Sequence, residues 1–102
     1  MTKKNKKQKE IQIPLLINAY LYNKYYSDSF MLPCLINLDV GSIVKVCDGF
    51  ERFWVKVTKI DFENLEGKID NILVTSESYN KNDIIAFQRC NIFEIFEFDK
   101  KQ

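Results

Sequence analysis

Trp54 stands between Arg52 and Lys56 in the alternating run Arg52-Phe53-Trp54-Val55-Lys56-Val57. An indole flanked two residues away on either side by a cation is a set that can stack a base, a proline ring or a methylated amine. The competing reading has apolar side chains of residues 14–38 packing over that face and burying the ring. Asp70 and Asn71 fall inside a strand-like run, where both types are depleted. An inward Asn71 either satisfies its amide on backbone, at a bulge or barrel mouth, or contacts a ligand. Tyr79 lies in the polar run 75–82, while Tyr20, Tyr22, Tyr25 and Tyr26 crowd into seven residues. That cluster suits an aromatic cage, a self-association surface or the packed face of an amphipathic helix. Lys3, Lys4, Lys6, Lys7 and Lys9 put five cations in the first ten residues. Such a tail contacts phosphates weakly and without sequence preference, or is simply solvated.

Several chemistries are closed off. The chain has no histidine, which removes the commonest general base and metal ligand. Ser-His-Asp and Cys-His catalysis, and the usual zinc, haem and non-haem iron sites, are excluded with it. Cys34, Cys47 and Cys90 are odd in number and contain no Cys-x-x-Cys pair. They read as small buried hydrophobes of a reducing compartment. Gly41, Gly49 and Gly67 stand too far apart for a phosphate-cradling glycine loop. No pair of carboxylates can be shown to converge, so the expectation is a non-enzyme without cofactor or metal.

Length and charge set the frame. The 102 residues suit one domain with one core, and 12 Ile, 8 Phe and 5 Tyr are incompatible with general disorder. No apolar run approaches the length of a membrane span, and no secretory leader is recognisable, so a cytoplasmic or viral intracellular setting is expected. Residues 1–10 carry five lysines against Glu10, whereas residues 11–99 carry 8 basic and 13 acidic side chains. The globular body is therefore acidic and its ends basic.

The elements that would position these residues follow from periodicity. Residues 1–10 lack apolar spacing and are expected to form a disordered basic tail. Ile13, Leu16, Ile17, Tyr20 and Leu21 fall on one helical face, which predicts a helix over 14–25, with an extended arm as the alternative. Residues 31–38 read as a buried extended segment interrupted by Pro33. Beyond Asp39 the period becomes two: strands are expected at 42–47, 52–60, 66–74, 83–88 and 91–98, the last entered through a helical turn. Asp48-Gly49 marks the first hairpin turn. Phe53, Val55 and Val57 should face the core, with Trp54, Lys56 and Thr58 opposite.

Over residues 39–95 the chain resembles the YegJ-like domains, a small family of unknown function from bacteria with relatives in phages and large DNA viruses. The runs that carry the resemblance are Glu51-Arg52-Phe53-Trp54-Val55-Lys56-Val57, Gly67-Lys68-Ile69-Asp70-Asn71-Ile72-Leu73, Asp83-Ile84-Ile85-Ala86-Phe87 and Asn91-Ile92-Phe93-Glu94-Ile95. Asn82 stands where a glycine is usual in the turn before the third run, and asparagine tolerates that left-handed backbone. The resemblance implies a compact, mostly-β fold and no activity.

These observations predict a mostly-β protein in three parts: tail 1–10, apolar segment 11–38, and a small five-stranded SH3-like barrel over 39–99, with the apolar segment, helical or extended, packed on it. The expected function is a non-catalytic β-barrel interaction module in which Trp54, Arg52, Lys56, Tyr79 and Asn71 hold a protein partner or a second copy. The alternatives are a nucleic-acid-associated small barrel using the lysine tail, and a structural component of a viral particle.

Overall fold

The structure is a computed structural model that describes residues 10–27, 31–76 and 78–96; the lysine tail lies outside them. Strands β2 (Ile43–Cys47) and β3 (Arg52–Asp61) pair antiparallel, with Val44 opposite Val55 and Lys45 opposite Trp54. Their turn is built as Asp48-Gly49 predicts. Gly49 takes a φ of +96°, and the Asp48 carboxylate accepts the N–H groups of Phe50 and Glu51 at 2.9 Å each. A two-residue turn, Phe62-Glu63, leads into β4 (Asn64–Ile69), which pairs antiparallel with β3 on one side and with β5 (Ile84–Gln88) on the other. Asn82, at φ +80°, holds the turn before β5 in the left-handed conformation anticipated for it.

The expected five-stranded SH3-like barrel is not what forms. The strands make one open, mixed, six-stranded sheet in the order β1-β5-β4-β3-β2-β6, where β1 is Ile11–Gln12 and β6 is Glu94–Ile95. β1 adds to β5 in parallel and β6 adds to β2 antiparallel, so β1 and β6 are edges and do not pair with each other. Two short strands thus end the sheet where a barrel would need its long ones to meet. A single bond, from the Ile17 N–H to the Cys47 carbonyl at 2.9 Å, ties the segment after β1 to the end of β2. The strand expected over 66–74 is also truncated, because past Ile69 the Asn71 side chain replaces the ladder. Its Oδ1 accepts the Trp54 N–H at 2.6 Å and its Nδ2 donates to the Ile72 carbonyl.

The N-terminal segment departs from expectation too. It is extended to residue 18, and the helix α1 spans Ala19–Tyr26. The helical spacing of Ile13, Leu16 and Ile17 is overridden by β-pairing at Ile11–Gln12 and the Ile17–Cys47 bond. Asn18 is the N-cap, accepting the Leu21 N–H at 3.0 Å. Residues 33–35 form one 3₁₀ turn in place of an extended segment, and a second at Arg89–Asn91 supplies the anticipated entry to the last strand.

One face of the sheet carries the core: Val44 and Val46, Phe53, Val55 and Val57, Leu65 and Ile69, Ile85 and Phe87 are all buried. Leu38, Leu73, Tyr79 and Ile92 cover it from the connections. Gly67 sits among them, opposite Val57 on β3 and Ile85 on β5. A Cβ there would stand 2.5 Å from Val55 Cγ1 and 2.7 Å from the Lys56 carbonyl oxygen, far inside contact distance with rigid neighbours. Beside it, Thr58 is the extra residue of a bulge in β3, its hydroxyl donating to the Glu66 carbonyl at 3.2 Å. Gly67→Ala should therefore destabilise the protein by about 1–3 kcal/mol, as overpacking does. The check is a lowered midpoint in urea with an unchanged slope; an unaltered midpoint refutes the close approach.

Candidate functional site

The outer face of the sheet is where the side chains without structural employment gather. On β3 the pattern is as expected: Phe53, Val55 and Val57 are buried, whereas Arg52 and Lys56 are exposed and Trp54 is half-buried. Among the described residues, the ring and cation contacts of the indole come from Lys45 and Phe96 and not from the segment after β1. The Lys45 ammonium lies 4.8 Å from its ring centroid, and Phe96 meets it edge-on at 5.9 Å. Lys45 also pairs with Glu94 at 3.4 Å, so its charge is shared between a ring and a carboxylate.

Register turns this face into two rows. The first runs Glu94, Lys45, Trp54 across β6, β2 and β3, with Asp70 beyond Trp54, where the Asp70 N–H donates to the Trp54 carbonyl at 2.8 Å. The second runs Ile43, Lys56, Lys68, Ile84 across β2, β3, β4 and β5. Lys56 and Lys68 are directly opposite, both exposed, and neither has an ion-pair partner among the described residues. Directly opposed like charges weaken a strand pair. Lys68 and its opposition to Lys56 were not legible in the sequence, since the pairing depends on the register downstream of the Thr58 bulge.

Arg52 is held differently. Its guanidinium carbon lies 4.3 Å from the Phe93 ring centroid and 5.9 Å from that of Tyr22. Stacking orients the plane, and no carboxylate or carbonyl of the described residues takes its N–H donors. Tyr22 packs edge-on against Phe93 at 5.5 Å and tilted, at 44°, against Tyr26 at 4.9 Å. Tyr22 and Tyr26 of α1 are therefore part of an aromatic surface continuous with Arg52.

Two of the residues grouped with Trp54 do not join it. Tyr79 is buried on the core face, its ring 5.9 Å from Phe53, and it donates its hydroxyl to Asp48 Oδ2 at 3.0 Å. Asn71 spends its amide on backbone, the structural alternative for it. The loop that carries Tyr79 is clamped by Glu51, whose carboxylate accepts the Val74 and Thr75 N–H groups at 2.9–3.0 Å and the Thr75 hydroxyl at 3.1 Å. Nor are the cysteines buried: Cys34 is exposed, Cys47 and Cys90 are half-buried, and all three are free. Burial pushes the Cys90 thiol up, away from thiolate chemistry at neutral pH. Among the described residues, no helix is long and apolar enough to cross a membrane.

The Asp48–Tyr79 pair titrates at both ends. Burial alone would raise the Asp48 carboxyl, but the Glu51 and Phe50 N–H groups with the Tyr79 hydroxyl together hold it below its usual value. Burial, then the bond to Asp48, pushes the Tyr79 hydroxyl up to about 12. Asp48 thus contributes stability above its ordinary pKa, and that contribution is lost as pH falls through its depressed folded value. Tyr79 stays protonated longer folded than unfolded, so its contribution is intact below pH 10 and lost as pH rises towards 12. Tyr79→Phe should remove the Tyr79-linked alkaline loss and cost about 1.5–3 kcal/mol at neutral pH, the worth of a hydrogen bond to a charged group. Urea midpoints measured across pH test this, and an unchanged alkaline limb contradicts it.

No protein-family model, curated protein or solved structure matches the chain, so the resemblance to the YegJ-like domains rests on the residue runs alone.

Proposed function

We propose that this protein binds single-stranded nucleic acid on the outer face of its open sheet, a base stacking on Trp54 and phosphates meeting Lys56, Lys68 and Arg52. The expectation of an interaction module, nucleic-acid-associated domain or particle component built on a closed barrel is set aside, because the sheet has two free edges. The present reading depends on neither a barrel nor the lysine tail.

The observation that carries it is the opposition of Lys56 and Lys68 beside a half-buried indole. Two unpaired ammonium groups on neighbouring strands repel in the free protein, and an anion between them relieves the repulsion. An aromatic ring one strand-step from such a pair favours a ligand that alternates anion and flat ring. The face is not strongly basic: Lys45, Arg52, Lys56, Lys59 and Lys68 stand against Asp61, Glu66, Asp70 and Glu94. Stacking therefore contributes more than long-range attraction, and duplexes, whose bases are already stacked, should bind poorly.

Titration of the full chain with oligo(dT) or oligo(U), followed by Trp54 fluorescence, should show saturable quenching. Three phosphate contacts imply a log–log salt slope of about −2 for single strands. Lys56→Glu with Lys68→Glu should weaken binding at least tenfold; Trp54→Ala, which removes the one tryptophan and is therefore followed by anisotropy of an end-labelled strand, should weaken it while leaving the salt slope. Two results overturn the reading: a slope of roughly −3.5 that vanishes on removing residues 1–9, which assigns binding to the five tail lysines, or quenching by an acidic peptide and by no oligonucleotide.

A further inference from the structure

The geometry points to a direction for that ligand: the single strand lies along β3, from Lys56 past Trp54 to Arg52, and continues onto the tyrosines of α1. This rests on the nucleic-acid reading above and extends it to a second stacking platform.

The outward side chains of β3 are spaced by two residues, so Lys56, Trp54 and Arg52 form a line with steps of roughly 6.5–7 Å. Cation, ring and cation alternate along it. At Arg52 the path turns across β2 to Phe93, whose N–H bonds the Lys45 carbonyl, and to Tyr22, the two rings lying 4.3 and 5.9 Å from the guanidinium carbon, and then to Tyr26 at 4.9 Å from Tyr22. Tyr22 and Tyr26 are one helical turn apart, and they are 41% and 77% exposed.

The other directions are closed by charge or by chemistry. A polyanion crossing the strands at the level of Trp54 meets Glu94 on β6 to one side and Asp70 to the other. Crossing one step further on, it meets Lys56 and Lys68, with Ile43 and then Phe96, already edge-on to Trp54, on the β2 side, and only the aliphatic chains of Ile84 and Ile11 on the β5 side. Those chains offer neither a π face nor a donor. The path along β3 alternates cation, ring and cation, and Arg52, held against the Phe93 ring with its N–H groups unclaimed among the described residues, joins the two platforms.

The test compares a dinucleotide with an oligo(dT) of about eight nucleotides, each titrated against Trp54 fluorescence and, for the longer one, by anisotropy of an end label. Trp54→Ala leaves no tryptophan to report, so it is followed by the end label alone and should weaken the longer strand. Tyr22→Leu with Tyr26→Leu keeps apolar cover on the helix; it should leave dinucleotide binding within twofold and weaken the longer strand about tenfold or more. Arg52→Lys retains charge but loses the stacked plane, and should show the same length-selective loss. A circular dichroism melt confirms that each variant is folded. If the tyrosine and Arg52 variants bind the longer strand as well as the parent does, the path onto α1 is wrong while the Trp54 site stands. If no oligonucleotide of any length quenches Trp54, the site and the path fall together.

Discussion

The sheet depends on a position with no side chain. Gly67 lets β4 press against β3 so closely that even a methyl group would overlap the Val55 side chain and the Lys56 carbonyl. Because the two backbones approach there, Phe53, Val55 and Val57 meet Leu65, Ile69 and Ile85 in one continuous buried layer. The Thr58 bulge beside it takes up one extra residue of β3 and sets which outward residues are neighbours thereafter. Lys56 faces Lys68 through this local geometry, so core packing on one side and a charged pair on the other share an origin.

Both faces answer to the same alternation but are held by different forces. On the core face burial dominates, and polar groups drawn into it are satisfied. Tyr79 reaches Asp48, Asn71 takes the Trp54 N–H, and the amide of buried Asn91 accepts the Gln88 N–H and donates to the Ile17 carbonyl. On the outer face the contacts are cation to ring and ring edge to ring, each worth little alone. Such contacts orient side chains without consuming their hydrogen-bonding groups. That distinction separates Arg52, stacked but unclaimed, from Arg89, whose guanidinium donates to the Phe62 and Ile36 carbonyls at 2.8 and 2.7 Å and is spent on tying loops together.

Much of β2, β3 and β5 was legible because local signals agreed. Asp48-Gly49 requires a turn, and the alternation of Arg52 to Val57 admits one inward set. The misreadings fall where a local signal lost to a distant partner. Apolar spacing over 13–21 favours a helix, yet backbone groups of β5 and the Cys47 carbonyl hold its first part extended, and Asn18, a mediocre helix former, becomes the cap that starts it. Tyr79 does lie in the polar loop that its neighbours suggest, but its ring is buried against Phe53 and its hydroxyl reaches Asp48, 31 positions away.

Period-two patterning, glycine at tight turns and the lack of histidine were properties of the chain alone, since each is a matter of residue type and near-neighbour sterics. They sufficed to place Trp54, Arg52 and Lys56 together on the face away from the core. Whether the sheet closes, what lies against the indole, and which cation stands opposite Lys56 were matters of register and of which strands take the edges. Those depend on contacts between residues far apart in the chain, and such contacts leave no mark in the spacing of the residues that make them.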